Sequence, residues 1–147
     1  MDDFTAYLEK VRANRGEMWE AIRALEEALA TPVGMGALWR RRVRAALTEL
    51  AHDLRTHVAL TEAPGGLFDD LRAHEPRLSG RVDRQVADHA HYLAEVDRLL
   101  GERDDGLGVA ESHRDALNDL VAHLARHRQR AAALCYQAYA VDLGGPG

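Results

Sequence analysis

Four long stretches of this chain repeat their apolar residues at alternating intervals of three and four. That rhythm puts one apolar stripe on an α-helix and offers no period-two alternation from which to build a sheet. The first stretch reads Phe4, Leu8, Val11, Arg15, Met18, Ile22, Leu25, Leu29, and the second Val43, Leu47, Leu50, Leu54, His57, Thr61. The third reads Val82, Val86, His89, Leu93, Val96, Leu100, and the fourth Leu117, Leu120, Leu124, His127, Ala131, Leu134, Ala138. An aromatic share of only 5%, with abundant Ala, Leu, Arg and Glu, points the same way.

Proline and glycine mark where the helices stop. A first helix is expected from about Asp3 to Ala30, ending at Thr31-Pro32, because the residue before a proline is pushed out of helical geometry. A second starts near Met35 or Ala37 and runs to about Glu62, where Pro64-Gly65-Gly66 interrupts it; Leu67, Phe68 and Leu71 suggest a short helical turn beyond the break. A third spans roughly Pro76 to Leu100, followed by a loop from Gly101 to Gly108. Ser112 with Asp115 three residues on resembles a capping signal, and a fourth helix is expected from there, or slightly earlier, to about Tyr139. Short connections cannot carry the chain back to the far end of a bundle. The expected fold is therefore all-α, an antiparallel up-down-up-down four-helix bundle, with one domain over residues 1–143 and a flexible tail at 144–147.

Charge and cysteine usage narrow the functional classes. A net charge of −5 argues against a nucleic-acid binder, which needs a basic excess to track phosphates. The local exception is Trp39-Arg40-Arg41-Arg42-Val43-Arg44, read as a solvated helix face interrupted by an inward Val43, with docking of an anionic partner as the alternative. Cys135 is the sole cysteine, so no internal disulfide is possible; it is expected to pack beside Leu134. Met1-Asp2-Asp3 lacks the features of a signal peptide, and no apolar run approaches the roughly 18 residues of a membrane span. A cytoplasmic monomer or homodimer, with no membrane and no nucleic-acid partner, is the expectation.

Three of the four stripes carry a histidine: His57, His89 and His127. A core-facing imidazole needs a hydrogen-bond partner, a proton or a metal. Counted from a common end of an antiparallel bundle, the three lie about 12 to 14 residues up, within roughly one turn of each other at 1.5 Å per residue. Facing imidazoles with a carboxylate nearby can hold iron, manganese or zinc inside a bundle. Glu62 is the obvious carboxylate, although five residues from His57 puts it some 140° around a regular helix. His123, one turn from His127, is a further candidate ligand. Arg15 and Gln85 are placed to hold a bound small molecule or water, or Arg15 to pair with Glu62 in a metal-free core. His52, His74, His91 and His113 fall off the stripes and are expected on the surface.

The distribution of histidines, the stretch His57-Val-Ala-Leu-Thr-Glu62 followed by Gly66-Leu67-Phe68, and His89 and His127 on the later helices together resemble the hemerythrin-like (HHE cation-binding) domain family. The resemblance covers the whole chain and implies a four-helix bundle holding one or two non-haem iron ions. It is the resemblance to a divergent member with an incomplete ligand set. In that family the first helix supplies a histidine, the second a His-x-x-x-Glu pair, the third a His-x-x-x-His pair, and the fourth a histidine followed by a carboxylate. Here Met18 or Arg15 stands at the first place, Thr61 where the glutamate belongs, and Leu93 and Ala131 or Ala132 at others. His57, His89 and His127 transfer, with Glu62 as a shifted substitute. The implied function is binding of dioxygen, nitric oxide or peroxide, or redox sensing. The alternatives are a small metal-dependent oxygenase or related enzyme acting on a small molecule, and a metal-free bundle serving as an interaction or ligand-binding module.

Overall fold

The helices end where the prolines and glycines require it. The computed structural model describes residues 3–102 and 107–139. Helix α1 spans Asp3–Ala30 and α2 spans Ala37–Glu62, with a 3-10 turn at Val33–Met35 between them. Gly36 leads into α2 at φ 60°, a left-handed conformation that a side chain would disfavour. Helix α3 covers Leu67–His74, a 3-10 turn follows at Pro76–Leu78, and then come α4, Ser79–Gly101, and α5, Leu107–Tyr139. No strand occurs among the described residues, and none of their helices is long and apolar enough to cross a membrane. The described residues are all-α, and their four long helices form a bundle in which α1 lies along α2, α2 against α4, α4 against α5, and α5 closes back on α1.

Several boundaries differ from those expected. The turn after Gly66 is a full helix, α3, because Leu67, Phe68 and Leu71 all find buried places against the bundle. Pro76 opens a separate 3-10 turn and not the long helix itself. Ser112 is not a cap: α5 is already helical at Leu107, so Ser112 and Asp115 lie on its exposed surface. The His113 ring is seated against Trp39 at 6.3 Å, which takes His113 off the surface where it had been expected. Part of the expected 101–108 loop, residues 103–106, and the whole 144–147 tail lie outside the described residues.

The buried line of α4 is also rotated from the expected one. Val82, Gln85, His89, Tyr92, Val96 and Leu99 are buried, while Val86, Leu93 and Leu100 sit at the flanks. Both lines share Val82, His89 and Val96, and both alternate threes and fours, so periodicity cannot choose between them. Packing decides. The Tyr92 ring meets His127 edge-on at 5.4 Å, and its hydroxyl donates to the His123 carbonyl.

Two apolar clusters fill the interior. One contains Met18, Ile22, Leu25, Trp39, Leu47, Leu50, Leu54, Tyr92, Val96, Leu99, Leu117 and Leu124. The other contains Val11, Leu67, Phe68, Leu71, Leu78, Val82, Leu134 and Cys135. Along α1, α4 and α5 the buried polar residues fall between members of the two, Asn14 and Arg15 on α1, Gln85 and His89 on α4, and His127 on α5, while on α2 His57 and Thr61 follow Leu54, the last member of the first cluster. A polar layer therefore divides the core. Cys135 lies next to it but belongs to the apolar cluster, and burial pushes its thiol up to about 11, which makes it a packing residue and a poor nucleophile.

The second helix is joined to α3 by a tight corner. Gly66 comes so close to the end of α2 that a Cβ there would stand 2.8 Å from the Ala63 carbonyl oxygen and 2.8 Å from the Tyr7 hydroxyl. That hydroxyl donates to the Leu60 carbonyl and accepts from the Leu67 N–H at 2.8 Å, so α1 clamps the corner. The clamp positions Phe68, whose ring stacks on His89 at 5.6 Å.

Candidate metal centre

The polar layer exists because three helices each present one imidazole at the same level. Ring centroids are 4.9 Å apart for His57 and His89, 4.9 Å for His89 and His127, and 6.4 Å for His57 and His127. One ligand nitrogen from each ring lies within 4.8 Å of the others, and all three residues are buried. They form the one such group of three or more His, Cys, Asp or Glu among the described residues.

Each ring is held by its Nδ1. His57 Nδ1 lies 3.2 Å from Asn14 Oδ1, His89 Nδ1 2.7 Å from Glu62 Oε2, and His127 Nδ1 3.1 Å from Asp88 Oδ2. The orientation of Asn14 is fixed by its own amide nitrogen, which donates to the Asp53 carbonyl at 3.2 Å. Its oxygen must therefore accept, so His57 carries its proton on Nδ1. Carboxylates impose the same tautomer on His89 and His127. In all three rings the lone pair is left on Nε2, and Nε2 of both His89 and His127 is buried with no hydrogen-bond partner. An oxygen on one ring nitrogen and an open lone pair on the other is the arrangement that orients metal-bound histidines.

Electrostatics keep the rings neutral. Burial holds His57 well below the usual histidine value, with the neighbouring His89, Arg15 and His127 adding to it. Burial and His89 lower His127 to about 4, against the opposing pull of Asp88. His89 is also lowered by burial, partly offset by its bond to Glu62. Neutral imidazole is the form that donates to a metal. Burial pushes Asp88 upward, but hydrogen bonds from His127 and Arg130 outweigh it and hold the carboxyl below its ordinary value.

The other predicted residues take different places. Glu62 meets the layer from outside, its Oε2 lying 2.7 Å from Nδ1 of His89. Its 140° offset from His57 is what carries it toward α4. His123 is exposed and contributes only its backbone carbonyl, to Tyr92. Arg15 is 5% exposed and donates to the Arg128 carbonyl at 3.1 Å. Together with Met18, Trp19, Leu124, His57 and His127 it lines a chamber of about 20 Å3, room for one water-sized guest. Gln85 is buried one turn before His89, and its Oε1 has no partner; it lies in the wall of a cleft with Arg81, Arg84, Arg130 and Gln137.

Two members of the layer were missed from sequence. Asn14 was legible: Val11, Asn14, Met18, Ala21 and Leu25 obey the three-four rhythm as well as the line through Arg15 does, and the helix buries both. Asp88 gave no signal, because it crosses from α4 to a histidine 39 positions away.

A tetrahedral ion bound at about 2.0–2.1 Å sets its nitrogens roughly 3.4 Å apart, so across a gap of up to 4.8 Å the rings must draw in by as much as about 1.4 Å. That is within reach of side-chain rotation. No family model matches this chain, and no curated protein or solved structure matches it.

Proposed function

We propose that this protein binds a single transition-metal ion through Nε2 of His57, His89 and His127, and that the remaining position on the ion takes a small ligand. The observation that carries this reading is the shared pattern of the rings: three different oxygens hold three Nδ1 atoms, and one nitrogen of each ring lies within 4.8 Å of the others. Three imidazoles with no carboxylate among them suit zinc or ferrous iron, and iron is what the hemerythrin-like resemblance implies. With three ligands gathered among the described residues, one ion is proposed and not two. The antiparallel up-down-up-down course belongs to the same reading. It is supported by the pairing of Arg44, early in α2, with the Leu100 carbonyl, late in α4, while Glu62 at the end of α2 meets His89 nearer the start of α4.

The size of the chamber bears on the ligand. Space for one water beside His57 and His127 favours water, dioxygen, nitric oxide or peroxide over an organic substrate, and so favours binding or redox sensing over an oxygenase. A cytoplasmic setting fits a bundle whose sole thiol is buried as packing. The rival, a metal-free packed layer, accounts for the Nδ1 bonds and ring contacts. It leaves the Nε2 atoms of His89 and His127 with nothing to bond.

Metal analysis of protein produced in iron- and in zinc-supplemented medium decides between them. One equivalent is expected in the wild type and none in His57→Ala, His89→Ala or His127→Ala, each confirmed helical by circular dichroism. A wild type that stays empty after reconstitution with either metal refutes the proposal.

A further inference from the structure

The arginine run that opens α2 has no part in the histidine layer. Trp39 lies 18 residues before His57 on one helix, roughly 27 Å away along its axis. Here Trp39, Arg40, Arg44, Leu100, Glu102 and His113 enclose a cleft of about 110 Å3 between α2, the end of α4 and α5. Its polar lining consists of donors with a single carboxylate among them.

Trp39 is 1% exposed, and its indole N–H is buried without an acceptor. An indole nitrogen can only donate, so what is missing is an oxygen. Arg40 is exposed, and no ion pair joins Arg40, Arg41, Arg42 or Arg44 to a carboxylate among the described residues. Arg44 uses one nitrogen on the Leu100 carbonyl at 2.8 Å, which leaves the rest of its guanidinium for a guest. The carboxylate of Glu102 is already engaged by Arg98 and by His113, the latter at 2.6 Å. Its charge is thus partly neutralised before any ligand arrives. A buried donor without an acceptor, in a cleft shared with two guanidiniums that no carboxylate pairs, is a receptor for a compact anion.

We propose that this cleft binds a small oxyanion, a carboxylate or phosphate group, with one oxygen on the Trp39 N–H and others on Arg40 and Arg44. The His113 ring forms one wall of the cleft and meets the indole at 80°. The site is independent of the metal proposal and stands if that one fails.

The chain has two tryptophans, so a proton–nitrogen correlation spectrum shows two indole resonances, Trp39 and Trp19. Titration with inorganic phosphate and, separately, acetate, at constant ionic strength made up with sodium chloride, should move the Trp39 resonance saturably and leave Trp19 in place. Saturation by phosphate alone identifies a phosphate site, and saturation by acetate a carboxylate site. Arg40→Ala and Arg44→Ala, both at exposed positions, should each weaken binding by roughly tenfold or more, the loss of one charge-assisted hydrogen bond. No saturable shift of Trp39, equal shifts of both indoles, or binding unchanged in both arginine variants overturns the proposal.

Discussion

Lowering the pH from 7 to 5 should destabilise the metal-free protein through the histidine layer. In the unfolded chain each of these histidines has the ordinary value of about 6.5, so between pH 7 and 5 it takes up most of one proton. In the folded chain His127, at about 4, takes up almost none. The unfolded state therefore binds more protons over this interval, and stability falls as pH falls. Integrated across those two units, His127 alone contributes a loss of about 2 kcal/mol. That figure is also the ceiling for any one histidine over this range, since the unfolded chain supplies no further protonation. His57 is lowered well below its ordinary value and adds in the same direction; His89, restrained by Glu62, adds less. The expected loss is thus between about 2 and 6 kcal/mol, a large part of the roughly 5–15 kcal/mol that holds a domain together. Stopping at pH 5 stays above the range in which Asp88, lowered by its hydrogen bonds to His127 and Arg130 against the pull of burial, begins to titrate. Denaturant unfolding followed by circular dichroism, in the presence of a chelator, measures the loss. His127→Gln should reduce it by about 2 kcal/mol. A loss below about 1 kcal/mol at unchanged denaturant sensitivity, or the same loss in His127→Gln as in the wild type, refutes the account of the layer as buried neutral imidazoles.

Other consequences are sharper in one position each. Glu62→Gln and Asp88→Asn leave all three candidate ligands in place but weaken the hold on His89 and His127; each should lower metal affinity by about 10- to 100-fold in calorimetric titration, and unchanged affinity would remove their orienting role. Gly66→Ala forces a methyl group against the Ala63 carbonyl and the Tyr7 hydroxyl, which should cost about 1–3 kcal/mol and appear as a lower melting temperature, whereas an unchanged melt would mean the corner relaxes freely.

How much of this was readable in the chain depends on which distances were involved. Helix boundaries set by Pro32, Pro64 and Gly65 were local, and α1 and α2 end where those residues dictate. Convergence of His57, His89 and His127 was expected from counting along helices taken to run antiparallel, and the three rings meet. What periodicity could not supply was rotation about a helix axis. On α4 the lines through Val86 and through Gln85 scored alike, and only the contact of Tyr92 with His127 separates them. On α1 the same ambiguity concealed Asn14 behind Arg15. Glu62 was picked out as a carboxylate near the histidines, and its contact is with Nδ1 of His89; a carboxylate in such a layer can reach the centre or hold a ring from behind, and spacing along one helix does not distinguish the two. Asp88 answers a partner on another helix, which is beyond the reach of any local pattern.

The same geometry makes the layer expensive. Nε2 of His89 and of His127 are each buried without a partner, and an unsatisfied buried polar atom costs roughly 1–3 kcal/mol. Their Nδ1 bonds return less than that, since Glu62 and Asp88 are 29% and 23% exposed and could be hydrated if released. If the layer were there to hold the fold, hydrocarbon would serve it better, with Phe68, Tyr92 and Leu124 already at hand to pack against. The double variant His89→Leu, His127→Leu should therefore be more stable than the metal-free wild type, by about 1–3 kcal/mol, and should take up no metal. A packed structural layer predicts the reverse, because both leucines would displace hydrogen bonds the fold relied on. Measured in a chelator, a double variant less stable by more than about 1 kcal/mol would mean that the imidazoles serve the fold itself, and that the unpartnered nitrogens are the price of that packing and not vacancies awaiting a ligand.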